Sequence, residues 1–125
     1  MQNTPFKTGP ITLTTTLGTN LLNAPTLTGG VGILPAKAYL MLKFMRVVNR
    51  TGTAATCSFF LGATGGSAAG TEVGASALSV PANSFVDIPF PPSGLMMTTA
   101  DFLTGGAGTS SALTVTIMGE IGVMA

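Results

Sequence analysis

Hydrophobic and polar residues alternate along the last part of the chain. Between Leu113 and Val123, an aliphatic residue or glycine occupies every second position, and mostly threonine, methionine and glutamate lie between them. A period of two places successive side chains on opposite faces of an extended strand, so this pattern predicts a β-strand with one buried face. No window of the sequence shows a helical stripe of apolar residues with capping residues at its ends.

Shorter runs rich in Val, Ile, Phe and Thr predict further strands, and Gly, Pro, Asn and Ser mark the turns between them. The longest run, Ala38–Val48, changes its apolar face, and a β-bulge near Phe44 and Met45 would reconcile the two halves. Pro89 cannot donate a ladder hydrogen bond, so its strand is predicted to end at a sheet edge or a bulge. The other predicted strands are Thr56–Leu61, Ala77–Val80, Ser84–Phe90 and Leu95–Thr98.

Three segments in this part of the chain are predicted to lie outside strands. Residues 99–103 are predicted to form a single turn of helix. Residues 62–70 and 104–111 are rich in glycine and are predicted to be loops at one end of a sandwich.

Residues 1–36 differ from the rest, since they hold four prolines, many threonines and one charged residue, Lys7. Residues 11–17 alternate well enough to form a strand, and residues 20–32 either pair with it or lie extended on a neighbour. We predict an N-terminal arm over residues 1–36, partly strand, and a β-sandwich domain over residues 37–125. The alternative, in which both segments are ordinary strands of the sandwich, stays open. The fold class is all-β, an antiparallel β-sandwich that is jelly-roll-like.

Charged residues are rare in this chain. It has five Lys and Arg, four Asp and Glu and no His, so charged residues make up 7% of it, against roughly 25% in an ordinary soluble domain. The longest apolar run is interrupted by Lys43 and Arg46 and is too short to cross a bilayer, and the first ten residues lack the apolar core of a secretory signal. We therefore expect a protein made in cytoplasm whose surface is covered by copies of itself or by a larger assembly.

The residue types needed for catalysis are scarce. Without histidine, the commonest general base and metal ligand is missing. Cys57 is the only cysteine and has no histidine to activate it, so we interpret it as a buried, inert thiol. We predict no catalytic, cofactor-binding or metal-binding residue, and no cofactor, although four scattered carboxylates are present: Glu72, Asp87, Asp101 and Glu120.

Two further motifs have ordinary explanations. The basic cluster Lys37, Lys43, Arg46 and Arg50 is better explained by a strand that faces solvent than by a phosphate groove, so we expect no nucleic-acid partner. Residues 49–51 match a glycosylation sequon, which we interpret as chance.

Residues 40–123 resemble the small β-sandwich proteins of tailed-phage virions, and most of all the decoration (cement) proteins of the phage head. The resemblance is one of pattern. It depends on the strand that ends at Val48-Asn49, on the step Val80-Pro81-Ala82-Asn83 and on the closing Gly119-Glu120. The segments that carry it are MRVVNRTGTAATCSFFLGATGGSAAGTE, LSVPANSFVDIPF and TADFLTGGAGTSSALTVTIMGEIGV.

The resemblance implies a jelly-roll-like homotrimer at threefold or quasi-threefold positions of a capsid, with an extended arm that clamps neighbouring subunits. We therefore expect a non-enzymatic virion structural protein that binds the major capsid protein through its N-terminal arm and has no membrane partner. The alternative is a trimeric tail-fibre or receptor-binding β domain. Such domains usually carry exposed aromatic residues for glycans, and this chain has no Trp and a single Tyr, Tyr39.

Overall fold

The alternating and β-branched runs of the sequence form strands, which pair into two main antiparallel sheets. The structure is a computed structural model, and it describes residues 4–23, 26–27, 32–33, 38–63, 65–90, 94–97 and 101–123. Within these residues there are eleven strands and no helix. The strands are β1 Thr4–Thr12, β2 Asn20–Asn23, β3 Thr26–Leu27, β4 Gly32–Ile33, β5 Ala38–Asn49, β6 Ala55–Gly62, β7 Leu78–Val80, β8 Phe85–Pro89, β9 Leu95–Met97, β10 Phe102–Ala107 and β11 Leu113–Val123.

The larger sheet has the strand order β1-β11-β5-β8, and β9 also pairs with β5. β5 and β11 are its long central strands and pair from Ala38 opposite Val123 to Asn49 opposite Leu113. β8 and β9 share the far side of β5, where β8 pairs with residues 44–48 and β9 with residues 40–42. The smaller sheet has the order β2-β10-β6-β7, and β3 pairs with β4 in a separate two-stranded ribbon.

The hydrophobic core lies between the two sheets, because one apolar cluster takes side chains from both. Phe59 is the largest of the fully buried side chains, and the buried thiol of Cys57 lies in the same cluster. The larger sheet and the segment after β1 contribute Leu13, Leu40, Leu42, Met45, Val47, Ile88, Met97, Leu113, Val115 and Ile117; the smaller sheet contributes Leu21, Leu22, Cys57, Phe59, Val80, Leu103 and Ala107. This arrangement confirms the predicted all-β sandwich.

The predicted bulge in β5 is present, one residue before the predicted position. Met118 pairs with Phe44 and Gly119 pairs with Leu42, so Lys43 is the extra residue. The bulge restores the inward alternation, because Met45 is buried on the same side as Leu42. The prediction for Pro89 is also confirmed, since β8 is the last strand of its sheet.

The prediction of a helical turn over residues 99–103 and a glycine-rich loop over residues 104–111 is wrong for residues 102–107, whereas residues 108–111 form a turn as predicted. Phe102–Ala107 is β10, an interior strand of the smaller sheet. Its glycines mark close packing rather than a turn: a Cβ on Gly105 would lie 2.5 Å from Cδ1 of Phe59. A Cβ on Gly106 would lie 2.8 Å from the carbonyl oxygen of Thr16.

The strand predicted over residues 11–17 is also shifted. β1 covers Thr4–Thr12 and continues through Gly9 and Pro10, because its pairing steps from Thr8 directly to Ile11 and leaves these two residues in a bulge. The chain leaves the strand after Thr12, and Leu13 turns into the core.

Residues 4–23 follow the second of the two alternatives for the N-terminal region. β1 pairs with β11, β2 pairs with β10, and the side chains of Leu13, Leu21 and Leu22 are buried. The domain boundary at residue 36 stays a prediction, because residues 1–3, 24–25, 28–31 and 34–37 lie outside the described residues. Among the described residues, no helix is long and apolar enough to cross a membrane.

Candidate functional site

The outward face of the larger sheet is the candidate functional surface, and we call it the open face. The antiparallel register arranges its side chains in four rows across the strands. Alternation directs these side chains away from the core, and none of them is buried. Row one holds Pro5, Glu120, Met41 and Met96; row two Lys7, Met118, Phe44 and Pro89; row three Thr116, Arg46 and Asp87; row four Thr12, Thr114, Val48 and Phe85.

Large apolar side chains project from this face. Phe85 in row four and Met96 in row one are each 52% exposed, whereas Met97, the next residue, is completely buried. Met41, Phe44 and Met118, which are partly buried, lie between them on the central strands. A face with this much uncovered apolar side chain is typical of an interaction surface.

A shallow, open groove lies between rows one and two, on the side of the open face formed by β1, β11 and β5. Its volume is about 500 Å³, and most of its lining is apolar. Lys43, the bulged residue of β5, lies at this groove, so the bulge adds a charged side chain to it. The lining residues are Pro5, Lys7, Lys43, Phe44, Met118, Gly119 and Glu120.

A charged pair occupies row three. Nε of Arg46 donates to Oδ1 of Asp87 at 2.7 Å, and Nη2 donates to Oδ2 at 3.0 Å. The guanidinium also lies 4.4 Å from the centre of the Phe85 ring. The hydrogen bonds from Arg46 hold the pKa of Asp87 below its usual value, and the hydrogen bond to Asp87 raises the pKa of Arg46. Since these residues are cross-strand partners, the pair attaches β8 to β5.

Part of the outward face of the smaller sheet, around Phe60, Thr104 and Gly106, is covered by the chain itself, and we call this part the covered face. Residues 13–19 cross Gly106, and the N–H of Ala107 donates to the carbonyl oxygen of Thr14 at 2.8 Å. The loop after β6 reaches Thr104, whose hydroxyl donates to the carbonyl oxygen of Gly66 at 2.5 Å. As a result, Phe60 and Thr104 are buried although they point away from the core.

The residues singled out in the sequence for possible catalysis are dispersed. Burial raises the pKa of the Cys57 thiol to about 11, which leaves it protonated at neutral pH. Glu72 accepts the N–H of Gly70 at 2.6 Å within a surface loop, while Glu120 lies at the groove and Asp87 is paired with arginine. Among the described residues, no three Cys, Asp or Glu side chains come together as a metal-binding group.

The basic cluster is divided in the structure. Lys43 lies at the groove, Arg46 is bound to Asp87, and Arg50 follows the end of β5; Lys37 lies outside the described residues. The prediction of a basic side chain on a solvent-facing strand therefore holds for Arg46, which is exposed.

Asn49, the sequon residue, has a structural role. Its side chain is 1% exposed. Nδ2 donates to the carbonyl oxygens of Thr53 and Val80 at 2.9 and 3.0 Å, and Oδ1 accepts the backbone N–H and the hydroxyl of Thr51 at 2.9 and 2.8 Å. The amide thus joins the end of β5 to the following turn and to β7.

Sequence reasoning did not identify the open face as a site, although a signal was present. The outward positions of β5 and β11 carry Met41, Phe44 and Met118, where a solvated strand would carry charges. No protein-family model, curated protein or solved structure gives a significant match to this chain.

Proposed function

We propose that the protein is a non-enzymatic structural component of a phage virion. In this proposal it is a capsid decoration (cement) protein, which binds the outside of the head as a homotrimer and stabilises the shell. The observation that carries the proposal is the open face, where two large apolar side chains are each 52% exposed in a chain that is only 7% charged. Such a surface is poorly suited to an isolated soluble domain and well suited to an assembly that buries it.

The physical basis of cementing is mass action. A protein that binds only the assembled shell shifts the equilibrium toward that shell. Three linked copies raise the apparent affinity, because once one copy is bound the others are held at a high local concentration. Residues 4–23 belong to the sandwich, so docking on the major capsid protein involves the sandwich itself and not an arm made from that segment.

The proposal is tested with heads of the phage that encodes the chain, prepared without this protein. Purified protein is cosedimented with these heads over a range of concentrations, and an unrelated protein of equal mass is the control. We expect saturable binding at many copies per head and a higher melting temperature of the decorated shell. Because apolar burial is hardly screened by salt, binding should persist in 1 M sodium chloride.

Two results would contradict the proposal. One is the absence of saturable binding to heads. The other is immunogold labelling of virions at the tail tip alone, which would favour the receptor-binding alternative.

A further inference from the structure

The methionines of the described residues occupy two kinds of position. Met45 and Met97 are completely buried in the core between the sheets. Met41, Met96 and Met118 point outward from the larger sheet, in rows one and two of the open face. In the described part of the chain, every methionine therefore lies either in the core or on this one face. A reaction restricted to accessible thioethers would change the open face and leave the core intact.

Met96 is the most accessible of the three outward methionines. Its side chain is 52% exposed, whereas Met41 and Met118 are partly buried. It lies at the end of row one, because β9 pairs with β5 alone among the described strands. Met97, the next residue of the same strand, faces the core and is completely buried. The two neighbours differ in the side of the sheet that they face, so they form a natural comparison.

Peroxides oxidise the methionine thioether to a sulfoxide. A lone pair of Sδ attacks one oxygen of hydrogen peroxide. An S–O bond forms, the O–O bond breaks, and the hydroxide that leaves takes up a proton to give water. The sulfur loses two electrons and the peroxide gains them. Since the peroxide must reach Sδ, burial protects Met45 and Met97 until the fold opens locally.

Oxidation changes the polarity of this side chain. The sulfoxide oxygen accepts hydrogen bonds, so a flexible apolar side chain becomes a polar one. At a position that is 52% exposed, water can satisfy the new acceptor, and the fold therefore loses little stability. The surface loses more, because Phe85 and Met96 are the two large apolar side chains of the open face that are exposed.

We propose that Met96 is a site of reversible oxidation, at which a peroxide makes the open face more polar while the sandwich stays folded. In the reverse reaction, two thiols of a reductant form a disulfide as the sulfoxide returns to the thioether and its oxygen leaves as water. Methionine sulfoxide reductases catalyse this step. The inference depends on neither a capsid nor an oligomer.

Peptide mapping after treatment of the folded protein with dilute hydrogen peroxide provides the first test. The sequence has no Lys or Arg after Arg50, so pepsin is used instead of trypsin to obtain short peptides. Fragment spectra then assign the sulfoxide to individual methionines over a time course. Met96 should be oxidised at least ~10-fold faster than Met97, with Met41 and Met118 between them. In concentrated urea Met96 and Met97 should react at equal rates, which is the control for the effect of the fold.

Hydrophobic interaction chromatography tests the consequence for the surface. Peroxide treatment is stopped once Met96 is oxidised, and the treated wild type should elute earlier than the untreated protein. The two methionine sulfoxide reductases, one for each sulfoxide epimer, should restore the original elution with dithiothreitol as reductant. Met96→Leu is the matched control, because leucine is apolar and has no sulfur, so the same treatment should leave its elution unchanged. The melting temperature of the oxidised wild type should stay within about 2 °C of the untreated value.

Three results would overturn the proposal. Equal oxidation rates of Met96 and Met97 in the folded protein would show that Met96 is not a selective site. An earlier elution that persists in Met96→Leu would assign the change in polarity to another residue. A large fall in melting temperature after oxidation of Met96 would show that the sulfoxide opens the sandwich. Head binding is measured separately, so none of these results decides the proposed function.

Discussion

The two outward faces of the sandwich differ in what covers them. On the covered face, residues 13–19 and the loop after β6 lie directly on the sheet and bury Phe60 and Thr104. On the open face no residue of the four rows is buried, and Phe85 and Met96 project into solvent. Both faces belong to one chain with one composition, so the difference arises from which residues point outward.

One glycine explains how closely the chain approaches the covered face, which also carries the large outward side chain of Phe60. Gly106 on the covered face has no side chain, so the backbone of residues 14–17 can approach it closely. A Cβ on Gly106 would lie about 3 Å from three atoms of that backbone. The outward positions of β5 and β11 carry Phe44 and Met118 instead, which hold a backbone at a distance. Around Gly106 the smaller sheet is covered by its own chain, whereas the described residues leave Phe85 and Met96 of the open face uncovered.

Removing the segment that covers one face should have the largest effect. Deletion of residues 1–23 removes β1 and takes Leu13, Leu21 and Leu22 from the core. Each buried leucine contributes roughly 1.5–3 kcal/mol, and the total is comparable with the roughly 5–15 kcal/mol that holds a domain folded. We expect a chain without a cooperative thermal transition in circular dichroism. A deletion of residues 1–3 is the control, and a cooperative transition after the longer deletion would mean that the segment is an arm after all.

The close approach on the covered face is tested by one methyl group. Gly106→Ala should lower the free energy of unfolding by about 2 kcal/mol, because the new Cβ meets backbone atoms of Thr14 and Thr16 that cannot move independently. Gly52→Ala is the matched control, since a Cβ there meets nothing within 4 Å, and its effect should stay below about 0.5 kcal/mol. Urea denaturation measures both. Equal effects would show that the covering segment is not held closely.

Thiol labelling compares the accessibility of the two faces directly. Thr104→Cys places a thiol on the covered face, and Thr12→Cys places one in row four of the open face. The first should react with a thiol reagent on the order of 100-fold more slowly, because its exposure requires local opening. The native Cys57, which is buried and has a pKa raised to about 11, should contribute little to either rate. Similar labelling rates for the two variants would contradict the comparison.

The smallest expected effect concerns pH and the charged pair of the open face. The pKa of Asp87 is lowered in the folded state, so the folded protein binds its proton less readily than the unfolded chain. The stability from this pair is therefore present above the ordinary aspartate value of 3.8 and is lost as the pH falls through the lower folded value. The drop in melting temperature between pH 5 and pH 2 should be slightly smaller for Asp87→Asn than for the wild type. A larger drop in the variant would give the opposite sign and contradict the assignment.

The sequence predicts the inward half of this fold well. The alternation of Leu113–Val123 marks β11, and the change of face in β5 correctly indicates a bulge, which falls at Lys43. Both predictions depend on residues that point into the core, where burial imposes the period of the strand.

The failures have a common physical cause. The pattern predicts a loop for residues 104–107 of β10 because glycine is typical of turns, but Gly105 and Gly106 make room for Phe59 and for residues 14–17, which are distant in sequence. In the same way, alternation shows that Met118 and Met96 point away from the core but not what covers them. What covers a strand depends on contacts between segments that are distant in sequence. The pattern of residues along one strand does not show those contacts.

The burial of Asn49 has a consequence for how the protein can be produced. Residues 49–51 match an N-glycosylation sequon, and sugars are attached to a secreted chain while that chain is still unfolded. An oligosaccharide on Nδ2 would replace one of the two N–H groups that donate to Thr53 and Val80, and it could not fit where the side chain is 1% exposed. Secretory expression in a eukaryotic host would thus trap modified chains unfolded, whereas the unmodified amide completes the junction between β5 and β7.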